Sequence, residues 1–159
     1  MKKFELTSET KINIFGKKLF RIKALVSFGV VKTGETGGWV EKEENVSQSG
    51  DAWVFDNAEV FDNARVFGNA EVSDNAWVSG NAEVSDNADY ATIHGFGTQF
   101  RTTTFFRCKD KQVKVSCGCF YGTIPEFCEQ VKNTRKGKIA EEYLMIADLM
   151  EKHFAEEAK

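Results

Sequence analysis

The sequence lacks the features that define several large classes of protein. Its 159 residues include one proline and two histidines, and no apolar run approaches the length of a membrane-spanning helix. The first residues, Met-Lys-Lys-Phe-Glu-Leu, lack the apolar core of a signal peptide. Lys and Arg total 21 against 24 acidic residues, for a net charge of −3. These absences exclude a collagen-like chain and argue against a general nucleic-acid binder, which needs surplus positive charge. We expect a soluble, cytoplasmic protein.

Apolar content is sufficient for a folded core. Hydrophobic residues make up 42% of the chain and aromatic residues 13%, including fourteen phenylalanines. At this length the sequence predicts one ordinary domain or two small units that share a core.

A six-residue repeat dominates the middle of the chain, from Asp51 to Tyr90. Its unit is [Gly/Asp]-[Asn/Asp]-Ala-x-Val-[Phe/Ser], with alanine at positions 52, 58, 64, 70, 76, 82 and 88. Alternating side chains place Ala and Val of each hexad on one face of a short strand. The Gly/Asp-Asn pair marks a corner, because these residues tolerate left-handed backbone.

The hexads resemble those of the hexapeptide-repeat proteins, whose fold is a left-handed parallel β-helix with three hexads per turn. The resemblance implies that residues eighteen apart stack, which sets Trp53 beside Glu71, Glu59 beside Trp77, and Arg65 beside Glu83. We therefore expect a mainly β protein. Its centre would be a short left-handed parallel β-helix of about three coils, with an N-terminal β cap and a C-terminal ββαα cap.

Three segments follow from this interpretation. Residues 1–37 would form the β cap, 38–94 the β-helix and 95–159 the tail. The capping box Thr123-x-x-Glu126 predicts a helix start in the tail. The other predicted tail elements are strands at 102–107 and 112–117, the remainder of the first helix to 133, and a second helix at 138–157.

Beyond the hexads, the chain is similar to small phage and prophage proteins. The residues that carry the likeness are 37–45, Gly118-Cys119-Phe120, Gly122-Thr123 and Glu126-Phe127. The resemblance implies a non-catalytic accessory protein in the bacterial host cell that binds a host protein or nucleoprotein complex. Inhibition of a bacterial defence effector, as by an anti-CRISPR protein, is the expected role. We expect a homo-oligomer, a dimer or a trimer, with no cofactor.

Candidate partner contacts come from the outer face of the hexads. If Ala and Val face inward, the aromatic residues face outward and can anchor an interface. The alternative is that the N-terminal hairpin or the last helix covers them. Acidic residues recur along the hexads as well, either as turn residues or as a face that competes for the nucleic-acid groove of a nuclease. The predicted contacts are Trp53, Phe55, Phe61, Phe67, Trp77, Glu59 and Glu71.

Two other functions stay open at this point. Hexapeptide-repeat proteins include acyl-CoA-dependent acyltransferases, in which a histidine acts as general base. His94, at the junction of hexads and tail, would be that residue, although a structural hydrogen bond is the simpler interpretation. The second alternative is a protein that sequesters a nucleotide signal between subunits.

Two further clusters have a chemical and a structural interpretation. Cys108, Cys117, Cys119 and Cys128 could hold zinc, but paired C-x2-C knuckles are absent and buried thiols pack as small hydrophobes. Lys132, Arg135, Lys136 and Lys138 could contact phosphate or form a solvated loop. We expect core cysteines and no metal.

Overall fold

The computed structural model describes residues 2–155, which form thirteen strands and two α-helices with two short 3₁₀ turns. No helix in this range is long and apolar enough to cross a bilayer. The longer strands are β1 (Phe4–Ile12), β2 (Lys18–Ala24), β3 (Thr36–Val40), β10 (Tyr90–Phe96), β11 (Arg101–Arg107), β12 (Val113–Cys117) and β13 (Phe120–Thr123). The two-residue strands are β4 (Trp53–Val54), β5 (Glu59–Val60), β6 (Arg65–Val66), β7 (Glu71–Val72), β8 (Trp77–Val78) and β9 (Glu83–Val84). The helices are α1 (Ile124–Thr134) and α2 (Gly137–Phe154).

The hexads bury their Ala and Val side chains completely. Every repeat alanine from Ala52 to Ala82 and every repeat valine from Val54 to Val84 is 0% exposed. The prediction that both residues share the inner face is confirmed. Ala88 is exposed, because the 3₁₀ turn Asn87–Asp89 ends the repeat there.

Hexad strands pair in parallel at a spacing of eighteen residues. Trp53 lies opposite Glu71 in the β4–β7 ladder, Glu59 opposite Trp77 in β5–β8, and Arg65 opposite Glu83 in β6–β9. These three predicted pairs are confirmed.

The predicted left-handed parallel β-helix is nevertheless wrong. The described strands form four separate sheets, and none of them closes: a mixed sheet β1-β2-β3-β5-β8, an antiparallel sheet β10-β11-β12-β13, and the parallel pairs β4-β7 and β6-β9. The physical reason is the length of the hexad strands. Each hexad strand is two residues long, and the hydrogen bonds that continue past it join corner residues rather than strands, for example the Asn57 N–H to the Asp74 carbonyl. β3 pairs in parallel with β5, so the N-terminal strands β1, β2 and β3 extend the β5–β8 ladder into a five-stranded sheet.

The corners of the repeat follow from one backbone requirement. Six successive corner residues have φ between 55° and 72°, in the left-handed region that glycine and aspartate tolerate best. Asp86, at the next corner, is extended and caps the 3₁₀ turn instead. The six are Gly50, Asp56, Asp62, Gly68, Asp74 and Gly80.

The C-terminal part is a four-stranded antiparallel sheet covered by two helices. Phe105 of β11, Phe127 of α1 and Tyr143 of α2 meet edge to face in their shared core. The predicted ββαα cap is therefore wrong in its strand number, because β10 and β13 complete the sheet. The capping box is confirmed: Thr123 Oγ1 accepts from the Glu126 N–H at 3.2 Å, and Glu126 Oε1 accepts from the Thr123 N–H at 2.9 Å. The predicted end of the second helix, at 156–157, lies outside the described residues.

Substitution at two corners tests the backbone account. In Gly68→Ala the new Cβ would lie 2.5 Å from the Ser85 carbonyl oxygen. We expect the free energy of unfolding to fall by about 1–3 kcal/mol, from left-handed strain and this clash. Asp74→Gly relieves the left-handed strain but raises the conformational entropy of the unfolded chain, and these two effects oppose each other. Its free energy of unfolding should therefore stay within about 1 kcal/mol of that of the original chain. Urea unfolding of both variants is the measurement, and equal losses would contradict the account.

Candidate functional site

The N-terminal hairpin lies against the hexads. β1 and β2 pair antiparallel, and β2 continues through β3 into the β5–β8 ladder. At the tip, Asn13 Oδ1 accepts hydrogen bonds from the N–H groups of Phe15 and Lys17, both at 3.0 Å. The turn sets the Phe15 ring 5.8 Å from the Phe61 ring and 5.9 Å from the Trp77 ring, centroid to centroid. The tip is thus held over two of the predicted contact residues.

The five predicted contact aromatics divide into two groups. Trp53 is 1% exposed, between the rings of Phe4 and Phe28, and Phe61 is 3% exposed. These two side chains therefore do not face solvent, because the N-terminal strands cover them. The other three, Phe55, Phe67 and Trp77, are half-buried.

The two predicted glutamates also divide into one buried and one exposed residue. Glu59 is 5% exposed, and its carboxylate binds Lys11 Nζ at 2.9 Å and Asn13 Nδ2 at 3.2 Å. Glu71, at the equivalent position of the next ladder, is exposed. Glu59 therefore attaches the hairpin to the hexads, whereas Glu71 stays available at the surface.

One groove brings together three of the predicted site residues: Glu59, Trp77 and His94. We call it the His94 groove. It has a volume of about 520 Å³ and lies between the hairpin, the β5–β8 ladder and the antiparallel sheet. Its other lining residues are Lys11, Ile14, Asn57, Asn75, Arg101, Thr102 and Gly118.

His94 lies on β10 directly opposite Thr102 of β11, and its Nδ1 is 2.9 Å from Thr102 Oγ1. The side chain is exposed, and the structural hydrogen bond considered from the sequence is present. Because Nδ1 has this partner, Nε2 is the nitrogen that could exchange a proton with a bound molecule. The volume is in the usual range for small-molecule sites.

The cysteines are spread over the C-terminal sheet and α1. Cys108 is buried, and burial raises the pKa of its thiol to about 11. Burial also raises the pKa of Cys128, while Cys119 is exposed. Thr103 Oγ1 donates to Cys117 Sγ at 3.2 Å. Over residues 2–155, no three His, Cys, Asp or Glu side chains converge in a way that could hold a metal ion.

Comparisons with known proteins give no assignment: no family model matches the chain, and no curated protein matches it. The resemblances drawn from the hexads and the tail therefore stay predictions, as do the partner, acyltransferase and nucleotide hypotheses.

Sequence reasoning missed the residues that the hairpin and β11 bring to the groove, and it missed Phe15, which packs against Phe61 and Trp77. Lys11, Ile14 and Phe15 are more than forty positions from the hexads they face, and no periodicity relates the two segments. The available signal was the run Ile12-Asn13-Ile14-Phe15, which is unusually apolar for a turn. Arg101 had no local signal.

Alanine substitution of the two glutamates tests how the hairpin is attached. In Glu59→Ala the Lys11 ammonium and the Asn13 amide lose their partner, so we expect the free energy of unfolding to fall by about 1–3 kcal/mol. Glu71→Ala removes an exposed carboxylate and should change it by less than about 0.5 kcal/mol. Urea unfolding measures both. Hydrogen exchange of residues 11–17 should accelerate only in Glu59→Ala, and unchanged exchange there would disprove the attachment.

Proposed function

We propose that the chain is a non-catalytic binding protein of the phage accessory type, which engages and inhibits a bacterial defence effector. The exposed apolar tip of the N-terminal hairpin carries the proposal. We call it the tip patch, and it consists of Ile12, Ile14 and Phe15.

The tip patch combines exposure with a fixed backbone. Ile12 is 68% exposed, Ile14 is 65% exposed and Phe15 is 38% exposed. The Asn13 hydrogen bonds hold the turn, and the rings of Phe61 and Trp77 support Phe15 from below. Grouped apolar side chains on a preorganised turn are typical of protein interfaces, because little entropy is lost when they bind.

The predicted aromatic contacts have two roles in this proposal. Phe61 is buried and supports the patch, and Trp53 is buried among the N-terminal aromatics. Phe55, Phe67, Trp77 and Glu71 keep accessible surface and can extend the contact beyond the tip. The choice of a defence effector as partner comes from the resemblance to phage and prophage proteins.

A pull-down followed by a direct binding assay tests the proposal. The tagged chain is exposed to bacterial lysate that contains candidate defence complexes, and retained proteins are identified by mass spectrometry. The retained effector is then purified, and its binding and activity are measured against the chain. We expect one stoichiometric partner, inhibition of its activity, and at least about tenfold weaker binding for Ile12→Ser/Ile14→Ser, since each truncated anchor costs more than 1 kcal/mol.

Val30→Ser is the matched control, because Val30 is 72% exposed and lies outside the tip patch. It should bind as the original chain does. If no purified effector binds, or if the control and the tip variant are equally weakened, the tip patch is not the interface.

We propose that self-association uses the outer face of α2. Met145 is 71% exposed and Leu149 is 57% exposed, one helical turn apart on that face. Two copies of the helix could bury these side chains against each other. Sedimentation equilibrium should show an oligomer for the original chain and a monomer for Met145→Glu/Leu149→Glu. An unchanged mass in that variant would place the self-association elsewhere.

A further inference from the structure

A second cavity, separate from the tip patch, lies between the antiparallel sheet and α1. We call it the arginine pocket. It has a volume of about 270 Å³ and is lined by Arg101, Arg135, Tyr143, Gln130 and Cys117, among others. None of its lining residues is acidic.

Neither arginine of this pocket has an acidic partner in the part of the chain that the structure describes. Within residues 2–155, neither Arg101 nor Arg135 has a carboxylate oxygen within 4.0 Å. By contrast, Arg107 binds Asp89 at 3.3 Å, and Arg21 lies 3.7 Å from Glu9. Two unpaired guanidinium groups in one cavity repel each other, and a bound anion would remove that repulsion.

The backbone sets the position of each arginine. Gly118, with φ of 59°, lies directly under the Arg101 guanidinium, and a Cβ at this position would collide with Nη1. Arg135 follows the last residue of α1, and its N–H donates to the Val131 carbonyl at 2.8 Å. One guanidinium therefore comes from the sheet and the other from the helix end.

Tyr143 lines the same pocket as the two arginines. Its hydroxyl donates to the Phe96 carbonyl oxygen at 3.2 Å, which fixes the ring at the pocket. Burial and the Cys117 thiol raise the pKa of Tyr143, while the charges of Arg135 and Arg101 act in the opposite direction. The Tyr143 hydroxyl and both guanidinium groups therefore line one cavity.

We propose that the arginine pocket binds a phosphoryl group. Each guanidinium offers a planar fork of N–H donors, which matches two oxygens of a tetrahedral oxyanion, and the Gln130 amide adds a neutral donor. The two positive charges match the negative charge of a phosphate monoester, which is about −1.5 to −2 near neutral pH. The site goes beyond the proposed protein-binding function and does not depend on it.

The phosphoryl group has two possible sources, which the surroundings of Arg101 make distinguishable. Arg101 also lines the His94 groove, where Trp77 offers an aromatic face. A free phosphate would occupy the arginine pocket alone, whereas a nucleoside monophosphate would also place its base in the groove.

Isothermal titration calorimetry with inorganic phosphate, AMP and adenosine tests the site. We expect phosphate and AMP to bind with millimolar affinity or better, and adenosine to bind at least about tenfold more weakly than AMP. Arg135→Gln and Arg101→Gln should each weaken phosphate and AMP about tenfold or more, since each removes charge-assisted hydrogen bonds. If AMP binds more tightly than phosphate and Trp77→Ala abolishes this difference in affinity, the phosphoryl group belongs to a nucleotide. Equal affinities support free phosphate.

Arg65→Gln is the matched control, because the Arg65 guanidinium lies over the Phe67 ring outside the pocket. It should bind phosphate as the original chain does. Arg135 is exposed, so Arg135→Gln should fold even if Arg101→Gln does not, and circular dichroism checks both. The proposal is overturned if neither phosphate nor AMP binds the original chain, or if Arg135→Gln binds them as tightly as Arg65→Gln does.

Discussion

The rest of the structure depends on the burial of alanine and valine along the hexads. These side chains are fully removed from water although each hexad strand is only two residues long. Backbone hydrogen bonds such as Asp51 N–H to the Gly68 carbonyl and Phe55 N–H to the Val72 carbonyl join successive repeats, and burial of the inner face adds the hydrophobic stabilisation. The left-handed corners make that packing possible, because they turn the chain after each Ala-x-Val and return the next pair to the same interior.

Short ladders also explain why the hexads do not stand alone. The β5–β8 ladder is extended by β3, β2 and β1, and the end of the repeat contacts the residue that follows β11, where Ala82 bridges to Cys108. Edge strands need such partners, since unpaired N–H and C=O groups would otherwise face solvent or another chain. One result of this pairing is the anchored hairpin tip. Another is the groove in which Glu59, Trp77 and His94 meet.

Local patterns in the sequence predicted local structure well. The Ala-x-Val alternation and the Thr123–Glu126 capping box could be predicted from neighbouring positions, because each depends on short-range geometry. The eighteen-residue pairing came from the resemblance to hexapeptide-repeat proteins. The overall fold class could not be predicted from such local patterns. Whether ladders close, stay separate or join a hairpin depends on contacts between distant segments, and the likeness to β-helix proteins supplied the wrong answer. β10 was missed for a related reason, since Tyr90–Phe96 has no clear alternation and is stabilised by pairing with β11. Part of the candidate site was predicted: Glu59, Trp77 and His94 were named, whereas Lys11, Ile14 and Arg101 reach the groove through tertiary contacts.

The central claim is that the N-terminal hairpin packs on the hexads and presents its tip. The most direct test is a nuclear Overhauser experiment on the aromatic side chains. The account predicts cross-peaks from the Phe15 ring to both Phe61 and Trp77, whose centroids lie 5.8 and 5.9 Å away. Cross-peaks between Phe28 and Trp53, at 5.2 Å, serve as the internal reference. If the reference is present and both Phe15 contacts are missing, the tip is not anchored and the account is contradicted.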